Sequence, residues 1–77
     1  MGYQSTVYIA LLKIEGAAET VGAFKTLTEA HLAAREAFDQ YLRLKGFDEK
    51  TMYEWVSNGS SPDGDYTYWT ESTTLYL

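Results

Sequence analysis

The residues with the most chemical potential in this chain are few: a single histidine, His31, and the carboxylates of Asp63-Gly64-Asp65. A general base at His31 needs a nucleophile to activate and an acid to orient it. Glu29 and Asp39 are the candidate orienting groups, and neither spacing suits that task. Arg35 stands four residues on, where it opposes an imidazolium charge. No Gly-x-Ser-x-Gly turn offers a nucleophile, so His31 reads as a helix-boundary histidine.

Asp63 and Asp65 resemble the first two ligands of a calcium loop, with Thr67 as the third oxygen. Such a loop needs Gly at its sixth place and Glu at its twelfth; here those places hold Tyr68 and Thr74. The pair reads instead as a turn with two solvated acids. The absence of cysteine excludes a disulfide framework and thiolate metal sites, and no Gly-rich phosphate loop precedes a helix. No catalytic residue, metal or cofactor is expected, and the chain reads as non-enzymatic.

The strongest compositional feature lies in Thr51–Leu77. That stretch carries Glu54, Asp63, Asp65 and Glu71 with no Lys, Arg or His, and six of the chain's twelve aromatics. Aromatics on strands grip single-stranded nucleic acid only beside a positive field. Here the field is negative, and the whole chain carries a net charge of −5. Nucleic acid and anionic membranes are therefore disfavoured as partners. A protein with a basic surface fits better.

The elements that must position these residues follow from periodicity. Val7–Ile14 is apolar on both faces, as in a central strand. Glu15–Glu19 supplies a loop, Thr20–Lys25 a returning strand, and Gly22 a bulge or a close approach. Thr26-Leu27-Thr28-Glu29 is a capping box, opening an amphipathic helix over about 27–45 that ends at Gly46. Its apolar face is predicted from Leu27, Ala30, Ala34, Ala37, Phe38, Tyr41 and Leu44, with Leu32 nearly opposite. Met52–Val56 reads as a third strand and Ser57–Asp65 as a long loop. Tyr66–Thr70 and Thr73–Leu77 are two strand-like runs, or one continuous strand. The predicted fold is a single α+β domain over residues 1–77, in the order ββαββ(β), with the helix packed on one face of an antiparallel sheet.

One helix covers one face only. Tyr66 and Tyr68 share a face and Trp69 takes the other, so aromatic surface is expected to stay open or to be closed by a second chain. The function expected is a small acidic protein-binding module, self-associating as a homodimer or binding a basic partner. Trp55, Tyr66, Tyr68 and Trp69 form the contact, with Glu54, Asp63, Asp65 and Glu71 steering it. The alternative expectation is an inhibitor that mimics nucleic acid on a basic surface. No run approaches the ~20 apolar residues of a membrane span and no signal segment is evident, so an intracellular, cytoplasmic setting is expected.

Overall fold

The computed structural model describes residues 4–76, with side chains over 5–74. Along them run β1 (Gln4–Ile14), β2 (Ala17–Phe24), α1 (Leu27–Lys45), α2 (Glu49–Asn58) and β3 (Thr67–Tyr76). The strands form one antiparallel sheet in the order β2-β1-β3. The central place of β1 follows from its apolar residues on both faces.

The β1–β2 hairpin turns on Glu15 and Gly16 alone, both at positive φ (53° and 82°). That is the geometry of a type I′ turn, whose twist matches that of the flanking strands. The connection is thus shorter than the expected Glu15–Glu19 loop, and Ala17–Glu19 belong to β2. The Gly16 N–H donates to the Asp65 carbonyl (3.1 Å), tying the turn to the loop before β3. Further along β2, Ala10 opposes Gly22 while Leu11 opposes Thr20, so Val21 is the extra residue of a bulge. A side chain at position 22 would meet the Phe24 ring at 3.3 Å. Gly22 allows that close approach.

Helix α1 has the predicted limits. The Thr26 hydroxyl accepts from the Glu29 N–H (3.2 Å) and donates to the Glu29 carboxylate (2.9 Å), closing the capping box. At its other end the N–H groups of Gly46 and Phe47 return to the carbonyls of Arg43 and Leu42, a Schellman pair. Its buried stripe is Ala30, Ala34, Phe38 and Leu42, one residue every fourth. The predicted face was rotated from this: Leu27 is 54% and Leu44 84% exposed, and Leu42 takes the inner place.

The expected third strand at Met52–Val56 is instead part of α2, so two helices pack on the sheet rather than one. Asp48 accepts from the Thr51 N–H (2.7 Å) as N-cap, and Gly59 ends the helix in the left-handed region (φ 85°). Met52 and Val56 lie four apart and both turn inward. The alternation of large and polar residues mimicked a strand, but the caps and the four-residue spacing govern. The two C-terminal runs are one strand through Glu71 and Ser72; Leu77 lies outside the described residues.

Both helices lie on the same side of the sheet. Ala10 of β1 packs with Ala30 and Ala34 of α1, Phe38 and Leu42 of α1 pack with Met52 and Val56 of α2, and Leu12 of β1 is buried with them in the core. Phe38, Leu12 and Leu42 are fully buried, each stabilising the fold by about 1.5–3 kcal/mol. Among the described residues no helix is long and apolar enough to cross a membrane.

Candidate interaction surface

Strand β3 separates the aromatics predicted to act together. Tyr68 opposes Leu12 and Trp69 opposes Leu11. Since Leu12 is in the core, Tyr68 faces the helices and Trp69 faces away. The Tyr68 ring packs against Phe38 at 5.1 Å and lies 5.9 Å from His31. Its hydroxyl donates to the Val56 carbonyl (2.6 Å). That carbonyl is in the last turn of α2, where no helical N–H reaches it. Tyr68 is thereby a structural link between β3 and α2.

Trp55 and Tyr66 also belong to the helix side. They stack at 5.4 Å, and the Phe47 ring closes on both at 4.8 Å and 5.4 Å. The Tyr66 hydroxyl donates to Glu15 (3.2 Å), which also accepts from the Lys45 ammonium (2.8 Å). Lys45 holds the Glu15 carboxyl below its ordinary range. Burial, with Glu15 second, raises the Tyr66 phenol. The cluster ties the hairpin turn, the end of α1, α2 and the start of β3 together.

The acids do not converge. Glu54 is exposed on α2. Asp63 accepts from the Ser61 hydroxyl (2.7 Å) and the Asp65 N–H (3.0 Å), bonds that lower its pKa, Ser61 most. It organises the loop, while Asp65 is exposed within it. Glu71 is the one of the four that hydrogen-bonds an aromatic named above, accepting from Trp69 Nε1 (3.2 Å). No group of three His, Cys, Asp or Glu able to hold a metal occurs among the described residues.

Among the described residues, the second face of the sheet is covered by neither helix, and its Val7, Ile9, Leu11 and Trp69 are half-buried. By register it carries Val7, Ile9, Leu11 and Lys13 of β1, Ala18, Thr20 and Ala23 of β2, and Thr67, Trp69, Glu71 and Thr73 of β3. None of its side chains joins the two core clusters. Of the eight residues expected to bind, it gathers Trp69 and Glu71. The aliphatic residues beside them were missed as site residues. The signal was the two-sided apolar character of β1, combined with helices enough for one side only.

A separate groove of about 710 Å³ runs between α1 and α2, lined by Leu32, Met52, Tyr53 and Val56 among charged residues of both signs. Leu32 (48% exposed) and Tyr53 (76% exposed) stand at it. The Asp39–Arg43 ion pair (2.9 Å) lies in its wall.

No family model, curated protein or solved structure matches this chain. The functional reading therefore rests on the geometry.

Proposed function

We propose that this protein is a small, acidic, non-enzymatic protein-binding module whose contact surface is the bare face of its sheet. The observation that carries this reading is the row Val7, Ile9 and Leu11 beside Trp69, on the side of the sheet that neither helix covers. An apolar row with one large aromatic and a polar margin has the make-up of an interface centre, where a Trp typically contributes most. Glu71 holds the indole by its N–H and places a negative charge at the margin. With a net charge of −5, a partner with a basic rim is the complementary choice.

Trp55, Tyr66 and Tyr68 support the fold in this proposal, and Trp69 makes the contact. The alternative, a nucleic-acid mimic, has less support, because Glu54, Asp63, Asp65 and Glu71 lie on a helix, a loop and the sheet face instead of forming one phosphate-like track. Affinity capture from the native source tests the reading, comparing wild type with Trp69→Ala and Tyr53→Ala. Capture lost with Trp69→Ala and kept with Tyr53→Ala is expected. The reverse pattern would move the contact to the groove between the helices.

A further inference from the structure

The proposed contact face is small for its task. Three strands about 4.8 Å apart, over the eight residues of β2, give a face of about 14 Å by 27 Å, on the order of 400 Å². A standard protein interface covers about 800 Å² on each partner. The deficit is close to one further copy of the same face.

The outer edge of β3 offers the means of supplying it. At its start that edge is closed: Gly59 accepts from the Tyr68 N–H (3.1 Å) and the Ser61 N–H donates to Tyr66 (2.7 Å). Backbone groups alternate between the two edges of a strand, and the β1–β3 register runs without a bulge. Those of Thr70, Ser72, Thr74 and Tyr76 therefore also point outward. Among the described residues, none of them has a backbone partner there. Free edges are usually blunted by Lys, Pro or a bulge. β2, the other edge, has the bulge at Val21; β3 has none of these devices and one charge, Glu71.

Resting on the reading above, the geometry points to a second copy of this chain as the occupant of that edge. The free lane from Thr70 to Tyr76 has its midpoint at Thr73, so a two-fold axis through Thr73 pairs it with itself. Thr70 then opposes Tyr76 of the second copy, Ser72 opposes Thr74, and Thr73 opposes Thr73. Thr–Thr and Thr–Ser pairs favour such ladders. Glu71 stands opposite Leu75 of the second copy and well away from the other Glu71, so the one charge does not oppose itself. The Gly59–Ser61 segment of each copy lies beyond the paired lane and is not displaced. A groove lined by Leu27, Thr28, His31, Leu32 and Thr70 opens beside the lane, so the added strand also covers apolar surface on α1. Because the axis is perpendicular to the sheet, both bare faces fall on the same side. The product is a six-stranded sheet with one continuous face of on the order of 800 Å².

Sedimentation velocity and amide hydrogen exchange on the full chain, each over a range of concentrations, test this directly. The expected result is a species of twice the monomer mass, with exchange at Ser72 and Thr74 slowing about tenfold or more as it forms. Ser72→Pro removes an outward N–H and leaves the β1–β3 bonds in place, which an edge strand tolerates. It should give a monomer with an unchanged circular dichroism spectrum. A wild type that stays monomeric with freely exchanging Ser72 and Thr74, or a folded Ser72→Pro variant that still dimerises, would overturn the edge pairing. If Ser72→Pro does not fold, the wild-type exchange data decide alone. A monomer that still needs Trp69 for capture would end the edge inference and leave the face reading standing. A dimer with protected Ser72 whose capture ignores Trp69 would sustain the edge pairing and remove the face reading.

Discussion

Two adjacent aromatics, Tyr68 and Trp69, should lose different amounts of stability on truncation. Removing a fully buried aromatic ring costs about 3–5 kcal/mol. Tyr68 is half-buried against Phe38, which scales that loss to about 2–3 kcal/mol. The orphaned Val56 carbonyl adds about 1 kcal/mol. Tyr68→Ala is therefore expected to destabilise the fold by about 3–4 kcal/mol, and Tyr68→Phe, which removes only the hydrogen bond, by about 1 kcal/mol. A domain of this size has roughly 4–12 kcal/mol in all, so the first change is severe. Trp69 is half-buried as well but joins neither core cluster, so Trp69→Ala loses part of a ring's burial and a cross-strand contact with Leu11, together about 1–2 kcal/mol. Urea unfolding followed by far-ultraviolet circular dichroism measures both. With a slope near 1 kcal/mol/M, the midpoint should fall by about 3–4 M for Tyr68→Ala and by about 1–2 M for Trp69→Ala. Equal losses, or a larger loss for Trp69→Ala, would refute the assignment of faces.

Further outcomes follow from individual contacts. Thr26→Ala removes the capping box of α1 and should lower stability by about 1 kcal/mol, read from the same urea curves. Phe38→Ala empties the centre of the core at a cost of about 3–5 kcal/mol, which should leave little folded protein near body temperature by thermal melts. Glu15, Asp48 and Asp63 all have lowered pKa values, through Lys45, the Thr51 N–H and the Ser61 hydroxyl respectively. A carboxyl depressed in the folded state contributes stability above its unfolded pKa, near 4, and loses it as pH falls through the folded value. Urea midpoints should thus hold from neutral pH to about 5 and drop below 4. Asp63→Asn should shrink the drop; a midpoint independent of pH across that window would contradict these bonds.

Local chemistry made the first part of the fold legible. The capping box at Thr26 and Glu29 and the stop at Gly46 fixed α1 to its ends, because each uses backbone groups the helix leaves unpaired. The stripe within α1 was less legible. Leu42 and Leu44 are equally apolar, and the packing of α1 against both the sheet and α2 decides which turns inward. Helix α2 was misread because Tyr53 and Trp55 alternate with Met52, Glu54 and Val56, which suits a strand. The Asp48 cap and the Met52–Val56 spacing were also present, and tertiary packing chose between them. The site divided in the same manner. That Tyr68 and Trp69 face opposite ways follows from strand geometry alone. Which of them the helices cover depends on the pairing of β3 with β1, and no local pattern encodes that.

The most direct measurement on the proposed contact uses the chain's lack of cysteine. Two single-cysteine variants, Ala23→Cys on the bare face and Glu36→Cys on the exposed side of α1, are treated with a maleimide, first alone and then in the captured complex. The account predicts that Ala23→Cys reacts much more slowly in the complex while Glu36→Cys keeps its rate. Protection of Glu36→Cys with Ala23→Cys still reacting freely would contradict it and place the contact on the helices.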